Sequence, residues 1–288
     1  MFKTKAQMHD PVSVVSAAPS VSYIDVNPAI AERWLAQNTV NRTVRESKVR
    51  QYASDMRAGR WTHSADMICF SPDGLLLNGQ HRLHAVVVSG CTITFAVQRN
   101  TPHEAMQNLD TGSARTVADV LGWRDEKSAS LLGAASKLVI LYRDGRIYKD
   151  NKAQAVSHGE IVDFVDFNPG IRESVAVGKA TGHHVDCMGS VLSAAHFIIA
   201  EANDVDAATE FMHRLAFRTG EPAGSPVLAL DKRLREIRKN RQTYSRREFL
   251  ALVIKAWNFD ARGQSASKLS ITQRGAFAIP APTVRRSA

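Results

Sequence analysis

The densest gathering of anion-binding and proton-carrying residue types in this 288-residue sequence is Asn78-Gly79-Gln80-His81-Arg82-Leu83-His84-Ala85. Apolar runs flank it, Leu75 to Leu77 before and Leu83 to Ser89 after, so it reads as a strand-to-helix turn. A glycine at such a turn adopts backbone angles other residues avoid, and the first N–H groups of the following helix have no partner inside the helix. A phosphate there meets those donors and the helix dipole, with charge-assisted bonds from His81 and Arg82 and a neutral contact from Gln80. Asn78, Gly79, Gln80, His81 and Arg82 are therefore candidate nucleotide- or phosphate-binding residues. An architectural account fits the same residues, with Arg82 paired to a carboxylate and Gly79 making a turn. His81 and His84 lie about one helical turn apart, but no third metal ligand accompanies them. Phosphate contact for His81 and packing for His84 are the expectation.

A second constellation, Met106 to Arg115, sets Asn108, Asp110, Thr111, Ser113 and Arg115 around Gly112. Asp110 can hold a cation, which makes it the candidate metal-binding or catalytic residue, and Arg115 can contact a phosphate. Equally, Asp110 or Thr111 can cap a following helix. His183-His184 with Asp186 and Cys187 gathers metal-ligand types, but adjacent histidines on a helix face different directions and no HExxH spacing is present. No metal site is assigned there. The Walker loop, the GxGxxG fingerprint and the GxSxG elbow are all absent, which excludes P-loop NTPases and α/β-hydrolases.

Charge supplies the third clue. Lys and Arg total 37 against 28 Asp and Glu, a net +9 that favours a polyanionic partner. Between 232 and 247 eight basic residues stand against one acid, Glu236, so this stretch holds most of the excess. Leu228, Leu230, Leu234 and Ile237 give it an apolar stripe. Lys232, Arg233, Arg235, Arg238, Lys239, Arg241, Arg246 and Arg247 then face water or a phosphate backbone, a footprint for DNA or RNA bound through counterion release. A surface helix that only aids solubility is the plainer alternative. Arg42, Arg45, Lys48, Arg50 and Arg57 form either a second basic rim or an ordinary solvated face.

The elements that would position these residues follow from periodicity and turn chemistry. Residues 1–20 read as a flexible arm. Strands are predicted at Val21–Val26, Ala65–Phe70, Leu75–Leu77 and Thr92–Gln98, the middle two joined as a hairpin by Ser71-Pro-Asp-Gly74. Helices are predicted at Ala29–Gln37, Thr43–Ala58 and Leu83–Ser89, with another opening at Thr101–Glu104. Later helices are predicted near Ala114–Leu121, Lys127–Arg143, Gly159–Asn168, Met188–Ala202, Ala207–Thr219, Pro226–Asn240 and Ser245–Ala261. Trp257 and Phe259 are expected in the core, and 263–288 is expected to be mostly irregular. Cys69, Cys91 and Cys187 have no CxxC spacing and read as packing residues.

On the box Gly79-Gln80-His81-Arg82-Leu83-His84-Ala85, the span from about Tyr23 to Asn100 resembles the ParB/sulfiredoxin superfamily. Asn41-Arg42 and Tyr52 to Trp61 also resemble phage and bacterial ParB-like proteins. The box is similar to that of DGQHR-type proteins, with Asn78 where those have aspartate. The resemblance implies an α+β architecture, with a small ParB/sulfiredoxin-like domain at 21–100 and a mainly α-helical domain at 101–262 carrying the basic helix. It also implies CTP or ATP with Mg²⁺ at the box, and Asn108 and Arg115 near the nucleotide. Two departures limit it. Gln80 replaces the reactive cysteine of sulfiredoxin-like enzymes, and a carboxamide is no nucleophile. Gln80 also replaces the ParB glutamate and offers no charge to Mg²⁺, so hydrolysis should be weak or absent.

The resulting expectation is a ParB-like DNA-binding protein, phage-associated, with a nucleotide pocket at the turn. A metal-dependent nuclease or base-modifying enzyme using Asp110 with Asp66 or Asp73, and a phage-borne protein that binds a host factor, are the alternatives. A homodimer is left open. No run of about 18 apolar residues occurs, and the Leu131–Leu141 stretch is broken by Ser136 and Lys137, so no membrane span is expected and the protein is placed in the cytoplasm.

Overall fold

The computed structural model describes residues 18–38, 43–62, 66–103, 116–148, 155–271 and 279–285. The chain is mixed α+β and gathers into two compact units, Met1–Gly112 and Ser113–Ala288, a boundary twelve residues beyond the expected one. No helix among the described residues is long and apolar enough to cross a membrane.

The first unit is a four-stranded mixed sheet with helices. Strands β1 (Ser20–Val26), β2 (Ile68–Phe70), β3 (Leu76–Asn78) and β4 (Ile93–Arg99) lie in the order β1-β4-β2-β3. β4 runs antiparallel to β1 and parallel to β2, while β2 and β3 form the expected hairpin with an irregularity between Cys69 and Phe70. Helices α1 (Pro28–Leu35), α2 (Glu46–Arg57) and α3 (Gln80–Ser89) supply the rest of a core that includes Val26, Met56, Ile68, Leu83, Phe95 and Val97. Asn27 caps α1 by accepting from the Ile30 N–H at 2.9 Å, and Pro28 occupies its first position.

The second unit is helical: α4 (Val117–Gly122), α5 (Ala129–Arg143), α6 (His158–Phe167), α7 (Ile171–Gly182), α8 (Gly189–Ala202), α9 (Val205–Phe217), α10 (Pro226–Lys239) and α11 (Arg246–Ala261). Every residue of α8 from Ser190 to Ile199 is buried, which makes it the central helix, with α5, α7, α9 and α11 packed around it. Ser157 with Glu160 and Ser245 with Glu248 form reciprocal capping boxes that start α6 and α11. The apolar spacing predicts no helix over 171–182. α7 forms there because it packs with small residues: a Cβ on Gly178 would lie 2.4 Å from the Ser193 backbone nitrogen of α8. Trp257 is fully buried, and Phe259 packs against the same core.

The described residues of the C-terminal stretch, 263–271 and 279–285, carry no helix or strand, yet they are docked. Leu269 and Ile279 are buried. Asn258 donates to the Ala281 carbonyl at 2.8 Å and accepts from the Thr283 N–H at 2.6 Å, and Trp257 Nε1 donates to the Thr283 carbonyl at 3.0 Å.

One polar bridge crosses the helical core. His196 of α8 lies 2.9 Å from Ser174 Oγ on α7 through Nδ1 and 2.9 Å from Thr209 Oγ1 on α9 through Nε2. Burial lowers its pKa from 6.5 to about 4. The unfolded chain therefore binds a proton near pH 6.5 that the folded chain refuses until pH 4. The stabilising contribution is complete above pH 6.5 and is lost as the pH falls through that window, about 3 kcal/mol in all. Urea unfolding at pH 7 and pH 4 is expected to show that excess loss in the wild type and not in His196→Gln; equal losses would contradict it.

Candidate nucleic-acid interface

The Gly79 turn forms as the sequence predicts, but α3 begins three residues earlier than its apolar run, and the box becomes its first turn. Gly79 has φ +112°, a conformation glycine alone adopts readily, and a Cβ there would come 2.4 Å from Ile68 Cδ1 of β2. Asn78 pairs with Cys69 across the hairpin. Gln80, His81 and Arg82 are all buried. Gln80 Oε1 accepts from Asn38 Nδ2 at 3.0 Å, just beyond α1. His81 Nε2 accepts from the Arg45 N–H at 3.0 Å, at the start of α2. Arg82 donates through Nη2 to the Met67 carbonyl at 2.9 Å and through Nη1 to the Asp66 carbonyl, ahead of β2.

Three consecutive polar side chains thus fasten α3 to three other segments of the unit. These bonds run to protein groups, two of them from Arg82 to backbone carbonyls. Arg82→Ala leaves those carbonyls without their cationic donor and is expected to cost about 3 kcal/mol, at roughly 1.5 kcal/mol per charge-assisted bond. Urea unfolding of the full chain checks this; an unchanged midpoint would contradict the fastening role. Beside the box, burial pushes the Cys69 thiol up against the pull of the Arg82 charge and a Thr101 hydrogen bond, so Cys69 is a packing residue. His84 is half-buried, and burial lowers its pKa.

Asn108, Asp110, Thr111 and Arg115 lie outside the described residues. Asp73 accepts from Ser71 Oγ and lies 2.9 Å from His103 Nε2, while the Asp66 side chain is exposed. Among the described residues no three His, Cys, Asp or Glu side chains converge as a metal site. Cys187 has its thiol pushed up to about 12 by burial, Asp186 pairs with Arg238, and His184 stacks on Phe217.

The basic stretch divides into α10, a turn and the start of α11. Leu230, Leu234 and Ile237 point into the core, while Lys232, Arg235, Arg238 and Lys239 are exposed. Arg233 belongs to the fold rather than to the open surface: it donates to Tyr244 Oη at 2.6 Å, pairs with Glu236 at 3.3 Å and lies 5.6 Å over the Tyr244 ring. Arg235 pairs with the buried Asp231 at 3.0 Å, and Arg238 with Asp186, which hold both guanidinium groups in place. Arg247 is half-buried. Lys232, Lys239, Arg241 and Arg246 are exposed, and their side chains have neither hydrogen bond nor ion pair among the described residues.

One further cation joins from elsewhere in the chain. Lys137 of α5 has its pKa lowered, first by desolvation and then by the charges of Arg246 and Arg146. The only sign of Lys137 in the sequence is a lysine interrupting an apolar helix; Arg246 comes from a segment far along the chain. In the first unit the other basic rim is dispersed. Lys48 lies over the Tyr52 ring at 5.4 Å, Arg50 pairs with Glu46 at 3.7 Å, Arg57 donates to the Val88 carbonyl, and Arg42 is outside the described residues.

The surface of α10 and α11 is thus cationic, and the box of α3 fastens elements of the first unit. Family models, curated proteins and solved structures were all compared with the chain, and none matches it.

Proposed function

We propose that the chain binds nucleic acid through the α10–α11 surface of its helical unit. One observation carries the reading. A helix with its apolar side in the core presents Lys232 and Lys239 to solvent, the turn after it presents Arg241, and the next helix opens with Arg246, none of them compensated by an acid among the described residues. Four uncompensated cations on one short stretch favour displacement of the counterions condensed on a polyanion. Arg235 and Arg238, held by Asp231 and Asp186, add oriented donors at its edge.

Binding of a labelled duplex followed by fluorescence anisotropy at increasing salt tests this. The expected double-logarithmic slope is about −4, at roughly 0.9 per neutralised phosphate. Absence of binding to duplex and to single strand alike, or an affinity indifferent to salt, would refute the reading.

A further inference from the structure

We propose that the α7–α8 turn and the end of α9 form a stacking platform for unpaired nucleobases, so that this surface takes single-stranded nucleic acid; the proposal rests on the nucleic-acid-binding reading above. The platform is made of three rings. Phe217, the last residue of α9, is 50% exposed. The imidazoles of His184 and His213 lie 4.9 and 4.6 Å from its ring, tilted by 46° and 49°. Both histidines are exposed, and neither ring has a hydrogen-bond or ion-pair partner among the described residues.

The platform is held in position rather than loosely displayed. Arg218, which ends α9 at φ +58°, donates through Nη1 to the His184 carbonyl at 3.3 Å and to Asp231 Oδ1 at 3.1 Å. One side chain therefore ties the turn bearing His184 to the helix bearing Phe217, and both to α10. A preformed surface loses less entropy when a ligand settles on it.

Charge decides the occupant. Asp231, which anchors Arg218, also anchors Arg235, and Asp186, two residues after His184, anchors Arg238 with 77% of its side chain exposed. Phosphates flanking a base stacked on Phe217 would meet these guanidinium groups. A groove of about 550 Å³ reaches His183, the neighbour of His184, and carries Lys127 and Lys179 beside the single unpaired acid of its lining, Asp125. Its Glu126 is occupied by Arg172 at 3.0 Å. A polyanion with free π-faces satisfies both features, because every base has a face that an aromatic ring can cover. Paired bases in a duplex already stack on one another and leave the rings unused.

Fluorescence anisotropy with the full chain and labelled oligo(dT), oligo(U) and duplex DNA of equal length tests the proposal. Phe217→Ala is expected to weaken strand binding roughly fivefold to a hundredfold, from the value of one stacked base, and to leave duplex affinity unchanged. Phe217→Tyr, which keeps the ring, should restore strand affinity to within about twofold. A loss on both oligonucleotides supports recognition of the base face in either sugar, and a loss on one alone supports the platform for that polymer. A Phe217→Ala variant with unchanged strand affinity, or with equal losses on strand and duplex, overturns the platform while nucleic-acid binding stands. Wild-type protein that binds neither strand nor duplex overturns the parent reading and this one with it. Because Phe217 is half in solvent, an unaltered thermal midpoint is expected and confirms that folding is not the cause.

Discussion

Replacing Lys232, Lys239, Arg241 and Arg246 together by glutamine is expected to lower affinity for duplex DNA about a thousandfold at roughly 0.15 M salt. Each phosphate neutralised contributes about 0.9 to the salt exponent, so each lost contact costs five- to sixfold at that concentration and four multiply to three orders of magnitude. The exponent itself should fall in magnitude by about 0.9 for each of the four cations removed. Glutamine retains a helix propensity near that of lysine and arginine, so α10 and α11 should persist. None of the four side chains has an ion-pair partner among the described residues, so the fold surrenders no bond. Removing Arg246 also relieves the repulsion on Lys137. The measurement is anisotropy across a salt series, with circular dichroism as the check on folding. A loss below about tenfold would show that the phosphate backbone lies elsewhere.

Gly178→Ala is expected to destabilise the protein by at least about 3 kcal/mol, the upper range for an overpacked core. The added Cβ would stand 2.3 Å from Ser193 Oγ, 2.4 Å from Ser193 N and 2.6 Å from Ser193 Cα. The hydroxyl can rotate away, but the backbone of α8 cannot retreat, because α8 is enclosed along the buried stretch that contains Ser193. The two helices must separate, which also loosens the Ser174–His196 bridge and the approach of Gly182 to Gly189, where a Cβ would sit 3.4 Å from the Gly189 Cα. Gly122→Ala provides the contrast. A Cβ on Gly122, at the end of α4, meets nothing within 4 Å, and its φ is not positive. That substitution should be neutral or stabilising by up to about 1 kcal/mol. Urea unfolding of both variants decides the matter, and similar midpoints would contradict the close α7–α8 crossing.

The same crossing shows why one helix escapes the sequence. α7 contacts α8 with glycine and serine, residues that bring backbones together, so the large apolar side chains that mark a helical face are sparse where the packing is tightest. α10 and α11 announce themselves by the opposite means. Leu230, Leu234 and Ile237 recur at helical spacing, and the capping box of Ser245 and Glu248 opens the second helix. The hairpin is legible from Ser71-Pro-Asp-Gly74, because turn residues act over three or four positions and need no distant partner.

The box divides differently. That Gly79 makes a turn before a helix is a local property, and the sequence shows it. Whether Gln80, His81 and Arg82 face a ligand or the protein depends on Asn38, the Arg45 amide and the carbonyls of Asp66 and Met67, which approach only after the chain has folded. Types and spacing of side chains cannot reveal this, since an arginine donates equally well to a phosphate and to a backbone carbonyl.

Sequence alone determined the mixed α+β class, the hairpin and its glycine turn, most of the helices, and the concentration of positive charge between 232 and 247. These follow from local geometry, from periodicity and from counting. Tertiary structure alone decided what the cations meet, since Arg233 is drawn to Tyr244 while Asp231 and Asp186 pair with the exposed Arg235 and Arg238. It alone brought Lys137 beside Arg246 and His184 and His213 onto Phe217. The physical reason is that charge pairing and ring stacking act over a few ångströms in space, whatever the separation along the chain.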